Sequence, residues 1–393
     1  MSRVLFLSRW LPYPPDNGSK LRIYNLLRGI AQAHTLDLIS FYDPANEQPD
    51  TAALAQFCRQ VTLVPYKPFD PHSRQARLGF FSLTPRSVQD THAPELAQQI
   101  ETAVARHAYD LIIASQIDMA AYQPHFGSTP AIFEEAEVGV LYEQFAQAAS
   151  PRDRLRHGLT WWKHRRYLAD LLGRFRACTV VSQPEKVLLQ TAVSTSSPIT
   201  VIPNGIDLAA YENVAETAVS GQIIFTGALT YQPNYESMVW FLEQVFPKVL
   251  ARCPDARLLI TGRHANRPLP AQPNVTLTGL VPDIRPLVAQ SWLSIAPIWQ
   301  GGGTRLKILE SMALRTPVVS TSKGAEGLAV TAGTDILLAD TADAFATAVI
   351  DLLHNQTHRQ HLAQAAYDLV ANHYDWPVIM PRFLALLDGG RVV

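Results

Sequence analysis

The amino-acid sequence predicts an α/β protein in which two doubly wound parallel-sheet domains follow one another along the chain. Three observations carry that expectation. At 393 residues the chain exceeds the roughly 250–300 residues at which a single core stops growing, so two domains are the default. Short β-branched runs alternate with helix-like segments throughout, the pattern of parallel strands covered by helices. Most of these runs are continuously apolar, as strands buried on both faces must be.

In chain order, the first series of runs covers residues 4–7, 36–40, 61–64, 110–114, 131–133, 177–182 and 199–202. A second series follows at 223–226, 258–261, 275–278, 293–296, 317–320 and 336–338. Between them, 208–221 is small and polar with no apolar period, which marks a linker between a first domain over 1–207 and a second over 222–373. An apolar helical pattern over 374–393, interrupted by Pro377 and Pro381, is expected to cross back to the first domain.

Charge excludes one class of partner. With 33 basic and 34 acidic residues the formal charge is −1, so the broad positive field of a nucleic-acid binder is missing. The apolar run at 4–7 is too short for a secretory core, and no segment approaches the ~18 apolar residues of a membrane span. Three cysteines, far apart and in no metal-like spacing, suit a reducing compartment. A cytoplasmic protein is expected, without a bound metal or cofactor.

Ligands of open α/β sheets bind outside the carboxyl ends of the strands, so the strand-to-helix loops carry the chemistry. The loop in "PIWQGGGTRLKILESMALRTPVVST" leaves a strand at Pro297 and runs through Gly301, Gly302 and Gly303, where backbone can approach a ligand with no Cβ in the way. Thr304 can cap the helix that follows. A helix N-terminus offers free N–H groups to an anion, and Arg305 and Lys307 add formal charge beside it, which makes a place for phosphate. Glu310, about two turns in, can accept hydrogen bonds from sugar hydroxyls. Read alone, the same charges also fit an ordinary helix face with i,i+3 pairs. Asn17 and Gly18, at the start of the helix after the first strand, form a second candidate anion cradle.

Five further stretches occur in order: "VIPNGID", "FTGALTYQPN", "LLITG", "NVTLTGLVPDIRPLV" and "GGGTRLKILESMALRTPVVSTSKGAEGL". Together they resemble the retaining glycosyltransferases of family 4, whose two Rossmann-like domains facing across a cleft form the GT-B fold. The resemblance implies a nucleotide-diphosphate sugar donor held mainly by the second domain, through Gly227, Gly303, Thr304, Arg305, Lys307 and Glu310. It further implies that Glu310 bonds the ribose, that Arg305 and Lys307 lie at the diphosphate together with Gly18, and that backbone around Leu280 and Val281 faces the base. Transfer with retention needs no protein nucleophile if the departing phosphate takes the acceptor proton, so Arg305 and Lys307 would act catalytically by stabilising the leaving group. The acceptor would be a saccharide or a lipid-linked species of cell-envelope or exopolysaccharide synthesis.

Three departures from the family pattern stand out. The first acid of its paired-acid motif is replaced by Gly302; the basic pair after the second domain's first glycine is replaced by Ala228, Leu229, Thr230 and Tyr231; and the first domain's histidine is missing from "SQIDMAAYQP". They leave open a non-catalytic relative that binds a nucleotide sugar or a partner, or a nucleotide-sugar epimerase.

Three other clusters carry titratable or aromatic side chains. His354, His358 and His361 share a helix face at i, i+4 and i+7, without a carboxylate nearby in sequence to orient them, and read as solvated. Glu134, Glu135 and Glu137 follow a strand end and are candidates for an acid or base. The segment 151–178 holds eight arginines and lysines against two aspartates and carries Trp161, Trp162, Arg165 and Arg166, a composition suited to an acceptor surface or to peripheral contact with an anionic membrane. The competing reading is a helix whose tryptophans pack inward while its arginines snorkel.

Overall fold

The computed structural model describes residues 1–47, 49–214, 217–264, 266–301 and 305–389. The chain divides into two compact units, one of residues 1–203 with the chain end from 380, the other of residues 204–379. Both are α/β, and every expected strand forms.

The first unit is built on a seven-stranded parallel sheet of order β3-β2-β1-β4-β5-β6-β7. Its strands are β1 (Arg3–Ser8), β2 (Thr35–Tyr42), β3 (Gln60–Pro65), β4 (Leu111–Ser115), β5 (Ala131–Glu134), β6 (Ala177–Val180) and β7 (Ile199–Val201). Val4, Leu5, Phe6 and Leu7 are fully buried, and so are Ile112, Ile113 and Ala114 of the neighbouring strand, which is why these runs lack polar alternation. Order reverses between β1 and β4, so a topological switch point lies at their carboxyl ends. Four helices of this unit matter below: α1 (Gly18–Ala31), α2 (Arg74–Leu78), α3 (Arg86–Thr91) and α4 (Pro151–Leu172). Asn17 caps α1 by accepting the Lys20 N–H, as Asn at that position favours.

The second unit carries a six-stranded parallel sheet of order β10-β9-β8-β11-β12-β13. The strands are β8 (Gln222–Thr226), β9 (Arg257–Thr261), β10 (Val275–Gly279), β11 (Leu293–Ala296), β12 (Val318–Ser320) and β13 (Leu337–Leu338). The switch point here falls between β8 and β11, paired through Leu293 with Ile223 and Ser294 with Ile224. Two helices start from the loops after these strands, α5 (Gln232–Trp240) and α6 (Leu306–Ala313). Ile308, Leu309 and Met312 pin α6 to a core shared with Val318 and Val370. The stretch 208–221 falls inside this unit: Leu208–Tyr211 is a short 3-10 turn with Leu208 buried in the same core.

Candidate active site

The second unit's switch point gathers three loops. Gly227 ends β8 at φ +152, and a Cβ there would lie 2.7 Å from Asn234 Nδ2 and 3.0 Å from Lys307 Nζ. Gly262, after β9 at φ +106, packs just as closely: a Cβ on it would meet the Gly227 carbonyl carbon at 2.7 Å. Only glycine lets these two backbones approach each other while leaving room for the lysine. The buried Thr226 hydroxyl beside them has no hydrogen-bond partner among the described residues.

Lys307 is the centre of this arrangement. Its ammonium donates to Asn234 Oδ1 at 2.9 Å and stands 4.6 Å from the centroid of the Phe225 ring. Asn234 is itself fixed, its Nδ2 donating to the Ala228 carbonyl at 3.0 Å. Burial first, and then the charge of Arg305, depress the Lys307 pKa to about 7, with Glu310 pulling the other way. Removing a cation from water without a formal counter-charge in hydrogen-bond contact is costly, and an arriving anion relieves that cost.

Glu310, one turn further along α6, accepts a 3.3 Å hydrogen bond from Tyr211 Oη. Burial raises its pKa, against the Tyr211 bond and the Lys307 charge. Arg305 is buried, and its guanidinium donates to the Gly301 carbonyl at 2.6 Å and the Lys323 carbonyl at 3.3 Å. It therefore ties the glycine loop to the "SKGAEGL" segment, a different task from the open anion contact expected of it. Gly302, Gly303 and Thr304 lie outside the described residues. Leu280 follows β10 and is exposed, with Val281 half-buried beside it. The Gly262 N–H donates to the Gly279 carbonyl at 2.9 Å, linking that strand end to the Gly227 corner.

In the first unit, Gly18 is the first residue of α1, half-buried next to its cap. The carboxyl ends of β4 and β5 hold a polar chain. Trp10 Nε1 donates to Gln116 Oε1 at 3.2 Å, and Gln116 Nε2 donates to Glu135 Oε2 at 3.0 Å. Gln116 and Glu135 both adopt left-handed backbone, at φ 66 and φ 58. Neither is glycine, so each costs roughly 1–3 kcal/mol that the surroundings must offset, a feature that clusters at functional sites. Glu134 is fully buried against Arg22 Nε at 2.6 Å and Ser115 Oγ at 2.7 Å. Burial, and then the Glu134 charge, push the Glu135 carboxyl well above the usual range.

α4 corrects one expectation. Trp161 is 6% exposed, packed in the core 5.5 Å from the Tyr142 ring, and so faces away from any acceptor or membrane surface. It shares the buried face of α4 with Leu168 and Leu172, at i+7 and i+11. Trp162, Arg165 and Arg166 stay exposed on the other side. The histidines do not converge: His354 Nε2 lies 3.2 Å from Cys253 Sγ, and His358 Nδ1 lies 2.5 Å from Asp351, a carboxylate seven residues earlier that the sequence reading passed over.

Sequence reasoning missed Asn234 and Tyr211. Asn234 closes the "GALTYQPN" stretch, but nothing local shows that its amide turns toward a lysine 73 residues away. Tyr211 sat in the supposed linker.

The sequence profile of Glycosyl transferases group 1 matches residues 220–355, and that of Glycosyltransferase Family 4 matches residues 17–210. The chain belongs to the group 1 glycosyltransferases, with the GT-B fold that its ordered motifs imply. A protein of Klebsiella pneumoniae described as an uncharacterized 44.6 kDa protein in the cps region is 21% identical, over 95% of this chain and 97% of that one. The phosphatidyl-myo-inositol mannosyltransferase of Mycolicibacterium smegmatis is 26% identical over 48% of this chain and 51% of its own. Among solved structures, Anabaena HepE in complex with UDP and glucose matches at TM-score 0.66 and 16% identity, covering 99% of this chain and 100% of that one. WaaG, a glycosyltransferase involved in lipopolysaccharide biosynthesis, matches at TM-score 0.64 and 13% identity over 98% and 100%.

Proposed function

We propose that this glycosyltransferase moves a sugar, with retention, from a nucleotide-diphosphate donor to a saccharide or lipid-linked acceptor in envelope or exopolysaccharide synthesis. One observation carries the donor reading: Lys307 is aimed at the Gly227 corner, at a switch point, with no carboxylate bonded to its ammonium among the described residues. In this reading the diphosphate meets Lys307, Gly303 and Thr304, with Gly18 a further contact. Lys307 neutralises the charge that develops on the leaving diphosphate. Arg305 holds the loop shut and adds its field from behind. Glu310, kept in place by Tyr211, accepts from the ribose, and backbone at Leu280 and Val281 faces the base.

The departures from the family pattern fit this assignment. The basic pair missing after Gly227 is replaced in space by Lys307, which reaches the same corner from α6. The relatives support the wider setting, one lying in a cps region and one acting in lipopolysaccharide biosynthesis. The exposed Trp162, Arg165 and Arg166 suit peripheral contact with an anionic membrane at the cytoplasmic face. Liposome binding that survives Arg165→Glu with Arg166→Glu unchanged would dismiss that contact.

Thermal shift against UDP-, GDP- and ADP-sugars tests the donor reading. A ligand at 100 times its Kd stabilises by about 2.7 kcal/mol. UDP-glucose is the first probe, because HepE is solved with it. No shift with any member of the panel would overturn the proposal.

A further inference from the structure

The first unit contains a cavity of about 310 Å³ that the donor chemistry does not use. Its volume is at the lower end of the roughly 300–1,000 Å³ typical of ligand pockets. It lies between α4 and the segment that carries α2 and α3. Phe69, Phe80, Leu141 and Leu159 supply apolar wall, while Arg86, Arg156, Lys163 and His164 supply the charged or protonatable groups. Among the described residues no carboxylate lines it, although Asp153 lies 3.4 Å from the exposed Arg156 guanidinium.

The wall is built, not incidental. Lys163 is buried, and its ammonium donates to the Gly79 and Phe80 carbonyls at 3.0 and 2.9 Å, which fastens the aromatic turn to α4. Arg86 donates to the Ala76 carbonyl at 2.7 Å and lies 3.9 Å over the Phe80 ring, closing the turn from the other side. Burial and the Arg86 charge lower the Lys163 pKa, the mark of a positive, water-poor wall.

The same two segments leave large apolar side chains exposed. Phe81 is 94% exposed and Leu155 76%, and Leu78, Leu83 and Trp162 are each about half exposed. Arginines are interleaved with them: a second, shallower depression beside the first is lined by His72, Arg74, Arg77, Leu78, Phe80 and Phe81. Exposed aromatics among cations suit the interface of an anionic membrane. An apolar interior with Arg86 and Arg156 in its lining complements an apolar chain ending in a phosphate.

We propose that this cavity takes the apolar chain of a membrane lipid phosphate, a long-chain alkyl or isoprenyl phosphoester, with Arg156 and His164 meeting its head. The inference deepens the lipid-linked acceptor reading and rests on it for its purpose, although binding itself needs no transfer.

Calorimetric titration of the full chain with dodecyl phosphate, below its micelle concentration, tests it. Dodecyl maltoside serves as the neutral chain and inorganic phosphate as the head alone. The expected result is saturable binding of dodecyl phosphate at least tenfold tighter than of either control. Leu159→Asp, at a half-exposed position tolerant of change, should weaken it at least tenfold, and Arg156→Glu several-fold. Equal affinity for dodecyl maltoside, tight binding of phosphate alone, or indifference to Leu159→Asp overturns the proposal. The nucleotide-sugar panel run on the same samples separates the two readings. Absence of a shift with every nucleotide sugar of the panel, with dodecyl phosphate bound, sinks the donor assignment and leaves this one standing; an unfolding transition of Leu159→Asp that matches wild type shows that the first unit of the variant is folded.

Discussion

Replacing Lys307 by methionine removes one charge while keeping the length of the side chain. At an effective dielectric of about 20, a unit charge 4 Å from its partner is worth about 4 kcal/mol. Loss of one donor that stabilises a developing oxyanion costs about 2.7–4 kcal/mol, roughly a hundred- to a thousandfold in rate. Lys307→Met is therefore expected to lower kcat/KM for donor turnover by that factor. A stability readout separates this from misfolding. Below about pH 7 the lysine is protonated in both folded and unfolded states, and the folded state bears the full cost of its burial. Between about 7 and the ordinary 10.5 the folded state sheds the proton while the unfolded state keeps it, so the cost fades as pH rises. Methionine leaves the Asn234 carbonyl oxygen without its donor at every pH, so the informative quantity is the change in the Tm difference. The variant's Tm relative to wild type should be more favourable at pH 6 than at pH 9. A sugar-bound diphosphate keeps its charge over this range, so the affinity of wild type for UDP-glucose should fall as pH rises through 7 and that of the variant should stay flat. Near-normal turnover by Lys307→Met, or an equally pH-dependent affinity in the variant, would refute the assignment.

Three further outcomes follow from the same geometry. Gly227→Ala places a methyl 2.7 Å from Asn234 Nδ2 and 3.0 Å from Lys307 Nζ; it should cost about 1–3 kcal/mol in chemical denaturation and abolish the donor thermal shift, and retention of both would remove the corner from the site. Glu135→Gln keeps the contact with Gln116 but cannot ionise. Because the folded wild type binds its proton more tightly than the unfolded chain, its stability falls as pH rises above the ordinary 4.5; the glutamine variant's Tm advantage should be small at pH 4.5 and larger at pH 8, and an advantage independent of pH would show that Glu135 is not held neutral. Trp161→Ala should cost about 3–5 kcal/mol of unfolding free energy, whereas Trp162→Ala should change it by less than about 1 kcal/mol; equal costs would contradict their placement on opposite sides of α4.

What could be read in the sequence divides along a physical line. Strands 4–7 and 223–226 were legible because a parallel strand buried on both faces must be apolar at every position, a local and one-dimensional signature. Gly227 was legible because it directly follows β8, and Lys307 because it stands in the first turn of the helix after the glycine loop. Trp161 was misassigned although its helix phase was present: Trp161, Leu168 and Leu172 repeat at i, i+7 and i+11, but the density of arginine on the other face masked that stripe. The carbonyl contacts of Arg305 had no signal, because nothing in a sequence distinguishes a guanidinium aimed at ligand from one aimed at carbonyls of its own loop. The left-handed backbone at Gln116 and Glu135 had no signal at all, since it arises from tertiary contacts that outweigh each residue's own preference.

The two switch points solve one problem in opposite ways. In the second unit a cation is held where burial, and then the charge of Arg305, bring its pKa to about 7, while Asn234 and Phe225 offer it a dipole and a ring face. In the first unit a carboxyl is held toward its neutral form beside a carboxylate already paired with Arg22. Each arrangement costs folding energy that simple partners would remove: an aspartate at position 234 would neutralise Lys307, and a glutamine at 135 would discharge the other site. A chain selected for stability alone would carry those residues. In the function proposed above, the incompletely compensated charge at the second unit's strand-end crevice is completed by an anion, the donor diphosphate.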